Sequence, residues 1–478
     1  MIPRTFPSII EAFQTKMVVY VVPSITGLKA WIDYIPVKGV VTESATLANT
    51  YANGGYQVVK SLDSLTGLQA WIGYIPVYED ASYNKPWSTD AGGYIPVGGL
   101  FSIPSLFASG APGVWYDPSD YSTLFQDSAG TTPVTAVEQP VGLMLDKSQG
   151  LVLGSELVTN GDFSNGSTGW TQISGTFTFS SGRAIAANSD SIKRLSSTAS
   201  SMVAGRWYVI TWNQYAGAGT GAANWTIPGV WSGTDNFANG GNYVNGEGLK
   251  TLYYLAPVSG QFYFYNFEQA VEYDNISVKE LAGNHAFQAT SASRPVLKID
   301  GNGKYYLKFD GVDDSLSTNS ISFTSTDEVS AFAGVRSLIN ATGTVAEFSA
   351  EAGVNNGAFA LYAAFPSNSY TFRSRGTALA DASSSAVYAP PITNTLTGLG
   401  DISGDRATLR VNGAQVVQIT TDQGTGNYGN YPLFIGRRGG SSLPFNGQLY
   451  SMVIVGKAVT AGELSSTETY VNQKTGAY

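Results

Sequence analysis

One stretch of this 478-residue chain carries a full helix signature, and that scarcity constrains the fold more than any other feature. Thr460-Ala461-Gly462-Glu463 is a capping box, in which a hydroxyl and a carboxylate three residues apart satisfy each other's orphan backbone N–H groups. It predicts a short helix through Tyr470, with Gly476 past its end. A weaker helical stretch runs from Ser8 to Thr15. Elsewhere the chain breaks into short alternations of apolar and polar residues, punctuated by Gly, Asn and Pro, which read as strands and turns. Arg406 to Ile419 is the clearest case, because Asn412-Gly413 supplies the two positive φ angles of a type I′ hairpin. Leu433 to Gly436 and Gly447 to Val455 read as further strands. The expected class is all-β.

Composition agrees and narrows the chemistry. Charged residues are 13% of the chain against about 25% in ordinary domains, while aromatics reach 12%. A chain of that kind buries enough apolar surface to offset its ordering entropy. With no Cys and one His, disulfide scaffolds, Cys-based zinc sites, iron–sulfur clusters, cysteine nucleophiles and multi-histidine metal sites within one chain are excluded. A net charge of -9 without a Lys/Arg cluster argues against nucleic acid as a partner. Met17 to Val22 falls far short of the roughly 20 apolar residues that span a bilayer, so no membrane insertion is expected. The first residues lack a basic segment followed by an apolar one, so no secretory signal is expected and the protein reads as soluble.

Length alone suggests about three domains. Ser24-Ile25-Thr26-Gly27-Leu28-Lys29-Ala30-Trp31 and the residues through Val37 recur from Ser64 to Val77, and Tyr94-Ile95-Pro96-Val97 is a truncated third copy. Proline cannot donate to a ladder, so each Tyr-Ile-Pro-Val marks a strand end or an edge. These copies are too few for a solenoid. They suit a small repeated sheet that docks on something else, or two duplicated hairpins of a compact domain. Pro104 to Pro112 reads as a linker. Beyond it, five of the nine Trp residues (Trp170, Trp207, Trp212, Trp225, Trp231) fall between Leu153 and Leu281, and none follows Gly283.

Lys308-Phe309-Asp310-Gly311-Val312-Asp313-Asp314-Ser315-Leu316 resembles the entry strand of a laminin-G or concanavalin A-like sandwich. The Asn412-Gly413 hairpin, Phe434-Ile435-Gly436-Arg437, the strand 447–455 and the closing helix resemble later parts of that family. Trp115-Tyr116-Asp117-Pro118-Ser119-Asp120 through Asp146-Lys147-Ser148 is similar to its opening in phage and prophage proteins, where Gly-Asn-His-Ala soon follows. Here that tetrapeptide is Gly283-Asn284-His285-Ala286, so the resemblance implies an insertion into a surface loop. The insert is similar to jelly-roll carbohydrate-binding modules at both ends: Glu156-Leu157-Val158-Thr159-Asn160-Gly161-Asp162-Phe163 with Gly169-Trp170, and Tyr273-Asp274-Asn275-Ile276-Ser277-Val278. The first seven residues and the repeats resemble the N-terminal part of the same phage structural proteins. The implied layout is a virion-anchoring repeat domain over 1–110, a concanavalin A-like sandwich from 111–150 plus 283–478, and a jelly roll over 151–282.

No catalytic residue is expected. His285 has no Gly-x-Ser-x-Gly elbow to serve and reads as a polar turn residue. The strand motif Glu-x-Asp-x-x-Glu of sandwich hydrolases is absent, and Glu268, Glu272 and Asp274, like Glu347 and Glu351, read as solvated faces. Calcium is the metal that the oxygen-donor inventory favours. The jelly-roll resemblance implies a structural calcium at Asp162 and Asp274, although Ser164 replaces an acidic residue usual beside it. Asp310, Asp313 and Asp314 are a second candidate, equally explained by an Asx-rich turn. Sugars stack on aromatic faces while Asn and Asp take their hydroxyls, and Trp225, Trp231 and Tyr243, with Asn224 and Asp235, form such a set. Packing under loops would explain the same aromatics. The expectation is a non-enzymatic protein of the virion, a tail fibre or head decoration. Its partners would be other virion proteins and host-surface polysaccharide, with a homotrimer favoured. A purely structural component is the alternative, followed by a carboxylate-pair depolymerase.

Overall fold

The computed structural model describes residues 101–478 except 188–191, 218–225, 232–243, 268–269 and 366–367. The repeats and the helix expected over Ser8 to Thr15 lie outside the described residues. Ser102–Tyr478 forms one unit.

Three short strands open it: β1 (Gly113–Tyr116), β2 (Leu124–Phe125) and β3 (Leu143–Met144). Ten follow before residue 282: β4 (Leu153–Glu156), β5 (Trp170–Ser174), β6 (Phe177–Ser180), β7 (Arg183–Ala186), β8 (Ile192–Ser197), β9 (Trp207–Ala216), β10 (Thr226–Trp231), β11 (Gly248–Leu255), β12 (Gln261–Phe267) and β13 (Val271–Leu281). Next come β14 (Ala286–Phe287), β15 (Val296–Ile299), β16 (Tyr305–Asp310), β17 (Leu316–Ser322), β18 (Glu328–Ser337), β19 (Gly343–Phe348) and β20 (Ala358–Ala363). The last strands are β21 (Tyr370–Arg375), β22 (Leu379–Ser383), β23 (Ile392–Asp401), β24 (Arg406–Val411), β25 (Ala414–Ile419), β26 (Asn430–Ile435) and β27 (Asn446–Val455). One α-helix, α1 (Ala461–Thr475), closes the chain.

Two sheets belong to the ends of this unit and two to its middle. One sheet runs β15-β16-β27-β18-β23-β24-β25 with β1 added on β27, and its partner runs β2-β3-β14-β17-β26-β19-β20-β21-β22. Their facing side chains, among them Phe309, Phe348, Phe359, Phe372 and Met452, form one apolar core. Residues 113–144 and 286–455 therefore supply strands to the same sheets, joined where Met144 opposes Ala286 and Leu143 opposes Phe287. The residues between form their own pair of sheets, β10-β12-β8-β5 and β11-β9-β13-β7-β6, with β4 added on β13. A separate core lies between them, built on Trp170, Trp212, Phe262, Phe264 and Tyr273. Where this segment enters and leaves, Glu156 opposes Lys279 and Leu153 opposes Leu281, so the two chain ends lie side by side.

The local signals hold with instructive differences. Asn412 and Gly413 take φ of 50° and 75°, as a type I′ turn requires. Helix α1 carries both arms of its capping box but runs to Thr475, five residues beyond Tyr470, because the stop is Gly476 at φ 66° and Val471 and Thr475 are buried. The Lys308–Leu316 segment is two strands rather than one. The Asp310 carboxylate accepts N–H bonds from Val312 and Asp313 and turns the chain between β16 and β17. The stretch read as a linker is anchored: Ile103, Leu106 and Phe107 are buried in a short 3-10 helix.

Candidate functional site

Strand alternation gives the middle segment's six-stranded sheet two faces. Tyr208, Ile210 and Trp212 of β9, with Val271 and Tyr273 of β13, point into the core. Their neighbours point outward, and that outer face divides into two halves. At one end Trp207, Val209 and Leu281, with Tyr253 and Leu255, join Phe125, Leu143, Leu145 and Phe287 of the other sheet pair in an apolar junction. Trp207 meets Phe287 edge-on at 5.7 Å and His285 at 5.4 Å, and Phe125 meets Tyr253 at 4.6 Å. Tyr253 N–H donates to the Ala129 carbonyl at 3.0 Å. Asn319 Nδ2 donates to the Gly205 carbonyl at 2.8 Å, closing the contact with polar clasps at its rim.

The other half of the face is uncovered by any described element and is polar. Tyr215 opposes Glu272, Asn213 opposes Asp274, and Thr211 opposes Ser277 across β9 and β13. All six are half-buried. Arg183 of β7 donates to Glu272 at 2.7 Å and lies over the Tyr215 ring at 3.9 Å from its centroid. Register slips between Asp274 and Ser277, where Asn275 takes φ 50°, a left-handed conformation that Asn tolerates better than most residues. The bulge keeps Tyr273 and Ile276 inside while Asp274 and Ser277 stay outside. An aromatic ring, two carboxylates, an amide, a guanidinium and two hydroxyls therefore share one sheet face. No single motif in the sequence marks this set, because it is assembled from three strands by register; alternation along β9 and β13 was the available signal.

The expected glycan set is described only in part. Asn224, Trp225, Asp235 and Tyr243 lie outside the described residues, and Trp231 is placed as the last residue of β10 without a described side chain. Trp207, Tyr208 and Trp212 are all buried. At the expected calcium pair, the Gly161 carbonyl accepts the Ile276 N–H at 2.9 Å, which brings the two segments together. Asp162 holds its own turn through Ser164 (Oγ at 3.0 Å), and Asp274 accepts the Asn275 N–H at 2.6 Å. These are two carboxylates of the six to eight oxygens calcium takes. Among the described residues, the group of three carboxylates with oxygens within 4.8 Å of one another is Asp310, Asp313 and Asp314. Burial, with Asp310 beside it, pushes the Asp314 carboxyl up to about 7.

Two expectations about single residues are corrected. His285 is not an exposed turn residue. It is fully buried at the junction, its Nδ1 accepts the Asp146 N–H at 2.9 Å, and burial pushes it down to about 3, so it stays neutral. Glu347 and Glu351 do not share a solvated face. Glu347 is 0% exposed and accepts from Ala352 N–H at 2.6 Å, Tyr362 Oη at 3.1 Å and Arg438 Nε at 3.0 Å. Glu351 lies past the end of β19 and is exposed. The strand's outer face is roofed by the 349–357 loop, held through Arg375 to the Gly353 carbonyl and by Arg438. Glu272, in contrast, is the half-buried partner of Arg183, and Glu268 lies outside the described residues.

Residues 309–465 match the family described as the concanavalin A-like lectin/glucanases superfamily; the larger sheet pair is a concanavalin A-like β-sandwich, and the described residues are nearly all-β. No curated protein matches this sequence. Solved structures similar to it include the CBM40 of Ruminococcus gnavus IT-sialidase bound to α2,3-sialyllactose, at 18% identity and TM-score 0.25, covering 30% of this chain and 83% of that one. Another is the heptameric SAP-like pentraxin of Limulus polyphemus, at 11% identity and TM-score 0.29, covering 34% and 82%. A third is the Trypanosoma rangeli sialidase in complex with the inhibitor DANA, at 12% identity and TM-score 0.28, covering 39% and 29%.

Proposed function

We propose that this chain is a non-enzymatic adhesion protein of a phage virion that holds host-surface polysaccharide on the open half of the jelly-roll-like sheet formed by β11, β9, β13, β7 and β6. The observation that carries the reading is the face bearing Tyr215, Asn213, Thr211, Asp274, Glu272 and Arg183. A pyranose ring presents an apolar face to an aromatic side chain and hydroxyls to amide and carboxylate oxygens, and this face offers both at once. Residues 151–282 are then the binding domain, carried by the sandwich of 111–150 and 283–478. Residues 1–110 attach it to other virion proteins. Weak single sites gain strength through copies, for which a homotrimer is the simplest arrangement.

Purified host polysaccharide, immobilised and exposed to the full chain, tests this directly. Retention that free polysaccharide reverses, with no new reducing ends, is expected. Release of reducing ends would replace adhesion with hydrolysis, and absence of retention at millimolar glycan would favour a purely structural virion component. Structural calcium between Asp162 and Asp274 belongs to the same proposal. Adding calcium to chelator-treated protein should raise its Tm, and Asp162→Asn should abolish that rise; an unchanged Tm removes calcium from the account.

A further inference from the structure

The core of the middle segment holds an ionisable side chain that no surface argument uses. Lys193 of β8 is 2% exposed, and Asn266, directly opposite on β12, is 0% exposed. The neighbouring pair, Leu195 and Phe264, belongs to the apolar core, so the two-residue period puts Lys193 and Asn266 on the same inward face. Fully buried Tyr273 and Thr226 complete the group, their hydroxyls 2.8 Å apart, and the Asn266 side chain hydrogen-bonds the Tyr273 phenol.

We propose that Lys193 and Asn266 are joined after folding by an intramolecular amide bond. Directly opposed residues of an antiparallel pair have Cα atoms about 4.5–5.5 Å apart, a gap the lysine side chain more than spans. The reaction proceeds from the unprotonated amine, which is the nucleophile. Lysine Nζ attacks Cγ of Asn266, forming a C–N bond, and the bond from Cγ to Nδ2 breaks. Nδ2 leaves as ammonia, taking the proton that Nζ gives up. The Tyr273 hydroxyl, bonded to the asparagine side chain, is placed to pass that proton on. One amine and one primary amide become one secondary amide and one ammonia, with no oxidant or cofactor. A chain without cysteine gains by this a covalent tie between two strands of its inserted sheet pair.

Intact-mass measurement on the denatured full chain, followed by peptide mapping, tests this. The expected mass lies below the sequence mass by one ammonia, about 17 Da. The digest should contain a branched peptide joining the segments around 193 and 266, with no cleavage after Lys193. Lys193→Arg and Asn266→Ala should each restore the unbridged mass. If either variant fails to fold, the wild-type branched peptide still decides the matter. The full sequence mass in the wild type overturns the proposal. So does a loss of ammonia confined to a linear peptide containing Asn-Gly, which is the signature of a cyclic imide instead.

Discussion

Asp314 shows how one residue makes stability depend on pH. Its carboxyl is pushed up to about 7 by burial and by Asp310 and Asp313, whereas in the unfolded chain it titrates near 4. Between those values the folded protein holds a proton that the unfolded chain has released. Stability therefore falls as pH rises from about 4 to about 7. Asp314→Asn should flatten that dependence, seen as urea midpoints that stop declining over the window. Glu347 tests a different physics. Replacing it with Gln leaves Arg438 without its buried counter-charge, and breaking such a pair costs about 3–5 kcal/mol. A fall in Tm of the sandwich is expected, and a change near zero would show that the pair is solvated after all. Neither environment could be read from the sequence. Glu347 sits at an outward position of an alternating strand, and the 349–357 loop, Tyr362 and Arg438 closing over it remove it from water.

Elements with local chemistry were legible, and those defined by distant contacts were not. The Asn412-Gly413 turn and the α1 capping box depend on residues within four positions of one another, so spacing suffices to find them. Thr460→Ala should cost about 1 kcal/mol and speed amide exchange in the first turn of α1. The length of that helix was missed because Val471 and Thr475 are held by tertiary burial rather than by any pattern in the sequence. Pro104 to Pro112 misled for the same reason. Its turn-forming composition is real, yet Leu106 and Phe107 are buried beneath it. The β9 sequence reads as a strand of mixed pattern, and nothing in it tells that the outer face is half junction and half open. That division depends on where Phe125, Leu143 and Phe287 lie.

For the molecule as a whole, the middle sheet pair is docked on the sandwich through Trp207 rather than tethered by two strands of chain. Trp207→Ala removes an aromatic that is 4% exposed, at a cost of about 3–5 kcal/mol. It should make the chain susceptible to protease near residues 151 and 282 while both sheet pairs keep their strand signal. Unaltered protease resistance would mean that the remaining apolar contacts and the rim bonds from Asn319 and Tyr253 hold the junction without it. A fixed junction matters because it leaves one half of the β9–β13 face presented in a constant direction. The central claim, that this half-face binds glycan, is tested most directly by the affinity of the full chain for host-surface polysaccharide before and after Tyr215→Ala. Loss of the aromatic contact, worth ~1.4 kcal/mol, predicts binding weakened about tenfold in a variant that keeps its strand signal. Equal affinity in wild type and variant would contradict the account.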